Sequence, residues 1–280
     1  MKKIFHIIGA GRVGQTLAAL LGQHAGWQLS HIVSRSLPQG AFGAAVVRDI
    51  AELPYADVVF VATPDNAVVE AAARLAASQA LSAETLVLHL SGAKTIHELV
   101  AVKQRGALTG SLHPVFAFAD AETAAAGLHG SLCALEADSV RAEQILRQIA
   151  DALGLQAFTL PSQHKARYHA ALSAASNFSV ALAAYAQDLL APLDIPEALS
   201  RRLVGGLLRQ TADNLTLLPP AEALTGPIVR GDDGTVAAHL AALDEAEQAQ
   251  YRLWAQAVLT LASVRLDAEA AARVRAVLGG

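Results

Sequence analysis

Hydrophobic and polar positions divide the chain into two parts that differ in periodicity. Before residue 161, short apolar runs bounded by turn residues alternate with amphipathic stretches. The runs predict strands at 3–8, 28–33, 57–62, 85–90, 110–112, 131–135 and 156–160, and the last amphipathic stretch predicts a helix at 139–153. Strands that alternate with helices are typical of an α/β domain with a doubly wound, mainly parallel sheet.

From Pro161 onward the strand pattern disappears and helical periodicity takes over. The pattern predicts helices at 162–190, 196–217, 235–243, 245–265 and 268–278. No internal repeat or low-complexity linker separates the two parts. The sequence therefore predicts an α/β domain over 1–160 and an all-α domain over 161–280.

The first predicted strand ends in a glycine-rich turn that opens a helical pattern. The order strand, G-x-G-x-x-G, helix is the fingerprint of a Rossmann dinucleotide-binding domain. Gly9 permits the tight turn, Gly11 lets the backbone approach a pyrophosphate, and Gly14 lets the helix pack close to the strand. The alternative is a turn that binds nothing. The predicted binding residues are Gly9, Gly11, Arg12, Val13 and Gly14.

The end of the second predicted strand indicates which dinucleotide binds. An NAD-binding domain places an Asp or Glu there to hold the ribose 2′-hydroxyl. This chain has Ser34, Arg35 and Ser36 instead, and a guanidinium with two hydroxyls suits a 2′-phosphate. The pattern favours NADP(H). The alternative is that Arg35 is a solvated surface residue that does not contact the cofactor.

Polar residues follow three further predicted strands, where ligands of doubly wound sheets bind. Thr63 and Pro64 follow one strand, Ser91 follows the next, and His113 follows a third. We expect Thr63, Pro64 and Ser91 to contact the cofactor, and Ser91 and His113 to act on a substrate. The alternatives are that Thr63 caps a helix, that Ser91 belongs to an ordinary turn, and that His113 is structural.

The first helix of the second part carries a polar stripe. Lys165, His169, Ser173 and Asn177 recur every four residues, so an α-helix places them along one face. Lys165 is a candidate proton donor, His169 and Asn177 are candidate hydrogen-bonding groups, and Ser173 is a candidate substrate contact. The alternative is an exposed polar face.

A second polar cluster lies in a loop rich in glycine and proline at 225–232. Arg230 in this loop is a candidate for binding a substrate carboxylate through its guanidinium fork. The alternative is that Arg230 pairs with Asp232, while Asp233 or Thr235 caps the next helix.

Composition narrows the classes of partner. The chain is 53% hydrophobic and 16% charged, has a formal net charge of −4, and contains no basic run, which argues against nucleic acid and anionic membranes. The uncharged stretch 170–187 carries several serines, so it predicts a buried helix of a soluble domain rather than a membrane span. Cys133 is the only cysteine, which suits a reducing compartment. We expect a cytoplasmic protein without a signal peptide or a metal site.

The motifs resemble those of a known superfamily. The segments 9–14 and 63–65, with the helical second half, resemble 6-phosphogluconate dehydrogenase, ketopantoate reductase and pyrroline-5-carboxylate reductase. A closer resemblance, at 112–115, 164–169, 175–178 and 224–232, is to Rossmann-like proteins with a C-terminal helical domain of unknown function. Ser91 and His113 also resemble the substrate-binding pair of prephenate dehydrogenases, but Val115 and Phe116 depart from that pattern.

The resemblance implies hydride transfer between NADP(H) and a small carbonyl or imine compound that carries a carboxylate. It implies Lys165 as the acid, although this chain has His169 where related enzymes place an asparagine four residues after the lysine. Two alternatives are a non-catalytic NADP(H)-binding sensor or scaffold, and an imine reductase similar to pyrroline-5-carboxylate reductase. The resemblance also implies a homodimer formed through the helical domain.

Overall fold

The computed structural model describes residues 2–279, which separate into two compact units. The first unit ends at Ser176 and the second begins at Asn177. The sequence placed the boundary at Pro161, but in the structure the helix that begins at Lys165 belongs to the first unit. The polar residues of that helix therefore belong to the same unit as the glycine turn.

Within residues 2–279 the first unit contains an eight-stranded sheet with the order β3-β2-β1-β4-β5-β6-β7-β8. The strands are β1 Lys3–Ile8, β2 Trp27–Val33, β3 Ala45–Val47, β4 Val58–Val61, β5 Leu86–His89, β6 Leu108–Pro114, β7 Leu132–Ala137 and β8 Gln156–Thr159. Neighbouring strands are parallel except β6 and β7, which are antiparallel. The predicted Rossmann fold is confirmed, and β3, which was not predicted, has only three residues.

Helices cover both faces of the sheet because the central strands are apolar on both sides. The helices of this unit are α1 Arg12–Gln23, α2 Val68–Ala76, α3 Val100–Gln104, α4 Ala121–Gly127, α5 Val140–Ala152 and α6 Lys165–Ser173. Phe60 and Leu88 pack into the cluster that contains α1 and α5, whereas Val59 and Val87 pack into the cluster that contains α2 and α3. Cys133 on β7 is fully buried in the first cluster, and this burial raises the pKa of its thiol to about 12.

The regular structure in the described residues of the second unit consists of helices and no strands, which confirms the predicted all-α part. Its helices are α7 Ser179–Leu190, α8 Glu197–Leu217, α9 Pro220–Ala223, α10 Asp233–Ala241, α11 Glu245–Ala262 and α12 Ala268–Val277. Asp232, Asp244 and Asp267 cap the starts of α10, α11 and α12 by accepting backbone N–H groups. A core that includes Val236 and Leu259 holds these three helices together.

Residues 170–187, which the sequence predicted to form a buried helix, contain no buried residue in the structure. A π-helical turn at Ala174–Phe178 separates α6 from α7, and α7 contains no buried residue. In α8 only Ser200 and Val204 are buried. Among the described residues, no helix has both the length and the apolar character needed to cross a membrane.

Candidate functional site

The glycine turn between β1 and α1 has the backbone geometry that its fingerprint predicts. Gly9 has φ +101°, and a Cβ there would lie 2.7 Å from the carbonyl oxygen of Ala62. A Cβ on Gly14 would lie 2.3 Å from the Gly9 carbonyl oxygen, so only glycine permits this approach. A Cβ on Gly11 would instead meet no atom within 4 Å. The backbone at Gly11 therefore faces open space, beside the N–H groups that start α1.

A cleft of about 900 Å³ opens over this turn. It is lined by nine of the residues predicted to bind cofactor, namely Gly9, Gly11, Arg12, Val13, Ser34, Arg35, Ser36, Thr63 and Pro64. Gly14 is buried behind the turn, and Ser91 is not among the lining residues. The hydroxyl oxygen of Thr63 is buried and has no hydrogen-bond partner within the described part of the chain. The open glycine, the helix N-terminus and this free hydroxyl fit a bound pyrophosphate.

Four arginines line the same cleft, of which the sequence singled out Arg12 and Arg35. Arg48 follows β3, and its Nη1 donates to the Ser34 carbonyl oxygen over 2.5 Å, so it lies against the end of β2. Arg74 lines the cleft from α2 and forms an ion pair of 2.8 Å with Asp49. Besides these four arginines, one carboxylate among residues 2–279, that of Glu70, lines the cleft. Arg48 was missed because the strand before it is too short to recognise.

His113, at the carboxyl end of β6, is the centre of a second group of polar side chains. Its Nδ1 lies 2.9 Å from the Tyr168 hydroxyl, and its Nε2 has no hydrogen-bond partner among residues 2–279. A Cβ on Gly92 would lie 2.7 Å from His113 Nε2 and 2.9 Å from His169 Nδ1, so both rings crowd the same glycine. His169 Nδ1 is also buried and unpartnered within the described residues. We call Gly92, His113, Tyr168 and His169 the imidazole cluster.

The charge state of His113 follows from its surroundings. Burial lowers the pKa of His113 to about 4, and the nearby Lys165 and His169 side chains act in the same direction. Asp65 opposes this shift. His113 is therefore a neutral imidazole at neutral pH.

Ser91 directly precedes Gly92, the glycine against which the rings of His113 and His169 lie. Its hydroxyl donates to Asp65 Oδ2 over 2.8 Å and accepts the backbone N–H groups of Ala93 and Lys94. Asp65 directly follows Thr63 and Pro64, so this bond ties the Ser91 turn to the cleft margin. Of the three strand ends expected to line one crevice, only that of Thr63 lines the cleft.

Lys165 lies in a buried polar network and not on an open face. Its side chain is 2% exposed, and Nζ lies 3.2 Å from Glu136 Oε2. Nζ also donates to Ser111 Oγ over 2.7 Å and to the Ser91 carbonyl oxygen over 3.1 Å. Glu136 accepts further hydrogen bonds from the Ile96 N–H and the Ser162 hydroxyl. The three acceptors take up the donors of the Lys165 ammonium.

The remaining predicted site residues are Ser173 in the first unit and Asn177 and Arg230 in the second. Ser173 ends α6 and is half-buried, and Asn177 is exposed within the π-helical turn. The sequence placed Asn177 on the polar stripe by assuming a continuous α-helix. The α-helical spacing is lost from Ala174 onward, because a π turn holds more residues than an α turn. Arg230 is exposed at the end of a short 3₁₀ turn, and Asp232 caps α10 through Thr235.

Comparisons with known proteins agree with this architecture. The structure resembles a candidate NADP oxidoreductase from Bacteroides fragilis, with a TM-score of 0.75, 24% identity, and coverage of 92% of this chain and 98% of that one. A protein from Thermotoga maritima has a TM-score of 0.67, 25% identity and 98% coverage of both chains. Pyrroline carboxylate reductase from Plasmodium falciparum, solved with NADP bound, has a TM-score of 0.64, 11% identity and 98% coverage of both. At these identities the likenesses establish the fold.

Family models identify both parts of the chain. Residues 2–114 match a Rossmann-like domain, and residues 131–258 match a domain of unknown function, DUF2520. No curated protein sequence is significantly similar to the chain. The fold and the glycine turn define a Rossmann-like protein. The chain carries a Rossmann-like domain followed by a DUF2520 domain, the combination that its sequence motifs predicted.

Proposed function

We propose that the protein is an NADP(H)-dependent oxidoreductase that acts on a small carbonyl or imine compound carrying a carboxylate. The observation that carries this proposal is the 900 Å³ cleft, where an open Gly11 and the start of α1 lie beside an arginine-rich lining. Two structural neighbours, named as a candidate NADP oxidoreductase and as a pyrroline carboxylate reductase with NADP bound, support it. The bound cofactor would supply or accept the hydride.

Five residues of the first unit have assigned roles in the proposed function. Gly11 and the first N–H groups of α1 hold the pyrophosphate, and Arg35 and Arg48 hold the 2′-phosphate. His113 faces the substrate with its free Nε2 and stabilises charge on the substrate oxygen or nitrogen. Lys165 holds the Ser91 turn and the β6–β7 pair in place through its carbonyl and carboxylate partners. We therefore assign the substrate contact to His113 instead of Lys165.

Calorimetric titration with NADPH and NADH tests the cofactor assignment. We expect the wild-type protein to bind NADPH at least about tenfold more tightly than NADH, because a charge-assisted contact contributes about 1.5–3 kcal/mol. Arg35→Asp should reverse the preference, since a carboxylate repels the 2′-phosphate and accepts the 2′-hydroxyl. Arg105→Asp is the matched control, because Arg105 is exposed and does not line the cleft.

The outcomes separate the candidate functions. If neither nucleotide binds, the glycine turn is structural and the proposal is wrong. If NADPH binds but no keto acid or cyclic imine is reduced, the non-catalytic sensor becomes the better assignment. If cyclic imines alone are reduced, the protein is an imine reductase.

We also propose that two copies of the chain associate through the helices of the second unit. Leu199, Leu203 and Leu207 recur every four residues on α8 and are 49%, 49% and 62% exposed. Phe178 and Val180, close to the start of α7, are also largely exposed. Apolar side chains in such number on one helical unit are typical of a protein–protein interface. A second copy is the partner that we expect.

Sedimentation velocity tests this association. We expect a dimer for the wild-type protein and a monomer for Leu203→Glu, because a buried unpaired carboxylate opposes association. Val140→Glu is the control, since Val140 is 74% exposed on the first unit and should leave the dimer intact. A wild-type monomer, or a Leu203→Glu dimer, would refute the proposed interface.

A further inference from the structure

Two tyrosine–histidine pairs with nearly the same geometry occur in the chain. In the first unit, Tyr168 OH lies 2.9 Å from His113 Nδ1, with ring centroids 5.7 Å apart and an interplanar angle of 89°. In the second unit, Tyr251 OH lies 2.8 Å from His239 Nδ1, with ring centroids 5.8 Å apart at 82°. His113 is mostly buried, whereas His239 is exposed. The pairs therefore differ mainly in their access to water.

The surroundings of Tyr168 decide which partner donates the hydrogen. Burial raises the pKa of Tyr168 to about 12, so the phenol keeps its proton at neutral pH. Among the described residues, His113 Nδ1 is the only hydrogen-bond partner of that hydroxyl. If both the Tyr168 hydroxyl and His113 Nδ1 carried a proton, the phenolic proton would lack an acceptor in the protein. The favourable arrangement has Tyr168 donating to an unprotonated Nδ1.

A neutral imidazole carries one proton, so this arrangement leaves it on Nε2. Burial, reinforced by the nearby Lys165 and His169 side chains, lowers the pKa of His113 to about 4 and keeps the imidazole neutral, with Asp65 acting in the opposite direction. Nε2 lies against Gly92 and has no hydrogen-bond partner among the described residues, so its N–H remains available. This ring nitrogen would be a hydrogen-bond donor and not a base.

We propose that Tyr168 is a positioning residue that fixes the tautomer of His113, so that His113 presents a neutral Nε2–H donor beside Gly92. The expected recipient is the substrate oxygen or nitrogen on which negative charge develops, a step that rests on the proposed oxidoreductase function. Tyr168 itself acts only through His113. In this role the imidazole stabilises charge without transferring its own proton, as a preorganised donor does.

Long-range ¹H–¹⁵N correlation spectra of the full chain, labelled in its histidines, test the proposal without cofactor or substrate. The signals of His113 are assigned by their loss in His113→Gln. In the wild-type protein at neutral pH, we expect Nε2 to be protonated and Nδ1 to be unprotonated. In Tyr168→Phe, we expect the ratio of the two tautomers to change by about fivefold, as the loss of one hydrogen bond would give.

Tyr251→Phe is the matched control. It should change the signals of His239 and leave those of His113 unaltered, because it removes the equivalent hydroxyl from the other pair. A wild-type His113 with its proton on Nδ1 overturns the proposal, and so does a Tyr168→Phe protein with an unchanged tautomer ratio. The spectra need no nucleotide, so they test the tautomer of His113 independently of the proposed function. A failure of NADPH to bind would refute the proposed function without changing the tautomer result.

Discussion

Replacing Lys165 with methionine is expected to destabilise the protein by about 3–5 kcal/mol, the usual cost of removing one partner of a buried ion pair. Glu136 would remain buried without its counter-ion, at a site where its side chain is 5% exposed. The Ser91 carbonyl would also lose a donor. Urea unfolding followed by circular dichroism measures the free energy of unfolding of the variant and the wild-type protein.

A double variant and a surface control make this test specific. Lys165→Met/Glu136→Gln should recover part of the loss, because the neutral amide removes the unpaired buried charge and its oxygen can still accept from the Ile96 N–H and the Ser162 hydroxyl. Lys94→Met should change stability by less than about 1 kcal/mol, since the Lys94–Glu98 pair is partly exposed. If Lys165→Met is instead as stable as the wild type and loses about 10²–10⁴-fold in activity, Lys165 is the proton donor and His113 is not the principal group.

Substituting two glycines of the same turn should separate nucleotide binding from folding. A methyl group on Gly11 meets no protein atom within 4 Å, so Gly11→Ala should fold with an unchanged melting temperature. Its methyl group occupies the space assigned to the pyrophosphate, and overpacking of about 1–3 kcal/mol corresponds to roughly 5–150-fold weaker NADPH binding. Calorimetric titration and thermal unfolding measure the two effects on one preparation.

Gly14→Ala should act mainly on folding stability, whereas Gly11→Ala should act mainly on NADPH binding. Its methyl group would lie 2.3 Å from the Gly9 carbonyl oxygen, so the turn and α1 must move apart and the melting temperature should fall by several degrees. If Gly11→Ala binds NADPH as tightly as the wild type, the open space at Gly11 does not hold the pyrophosphate. An unchanged melting temperature of Gly14→Ala would show that the turn can relax at little cost.

The sequence was sufficient to predict the fold because its signals are local. The buried strands, the glycine turn and the loss of strand periodicity after Pro161 each lie within a short segment. Nine of the predicted cofactor-binding residues line the cleft for the same reason, since they follow strands whose carboxyl ends share one edge. The two-unit boundary at Ser176 was not apparent because helical periodicity is continuous across it.

The buried network around Lys165 depends on contacts between distant segments. Glu136 lies in a short apolar run, and the sequence gives no sign that β7 runs antiparallel to β6. That pairing places Ser111 opposite Glu136, and α6 then brings Lys165 to both. The same three-dimensional packing brings Tyr168 to His113, two residues that are 55 positions apart. Helical periodicity predicted the polar stripe at 165, 169, 173 and 177, but not that Lys165 would be its buried member.

The burial of Cys133 has a practical consequence for biophysical work on this protein. With a thiol pKa of about 12, only about one molecule in 10⁵ carries a thiolate at pH 7, and the thiolate is the reactive form. Alkylating reagents and mild oxidants should therefore spare the native protein. A fluorescent or spin label can be attached to a cysteine introduced on the surface while Cys133 stays in place, which keeps the core intact for distance measurements.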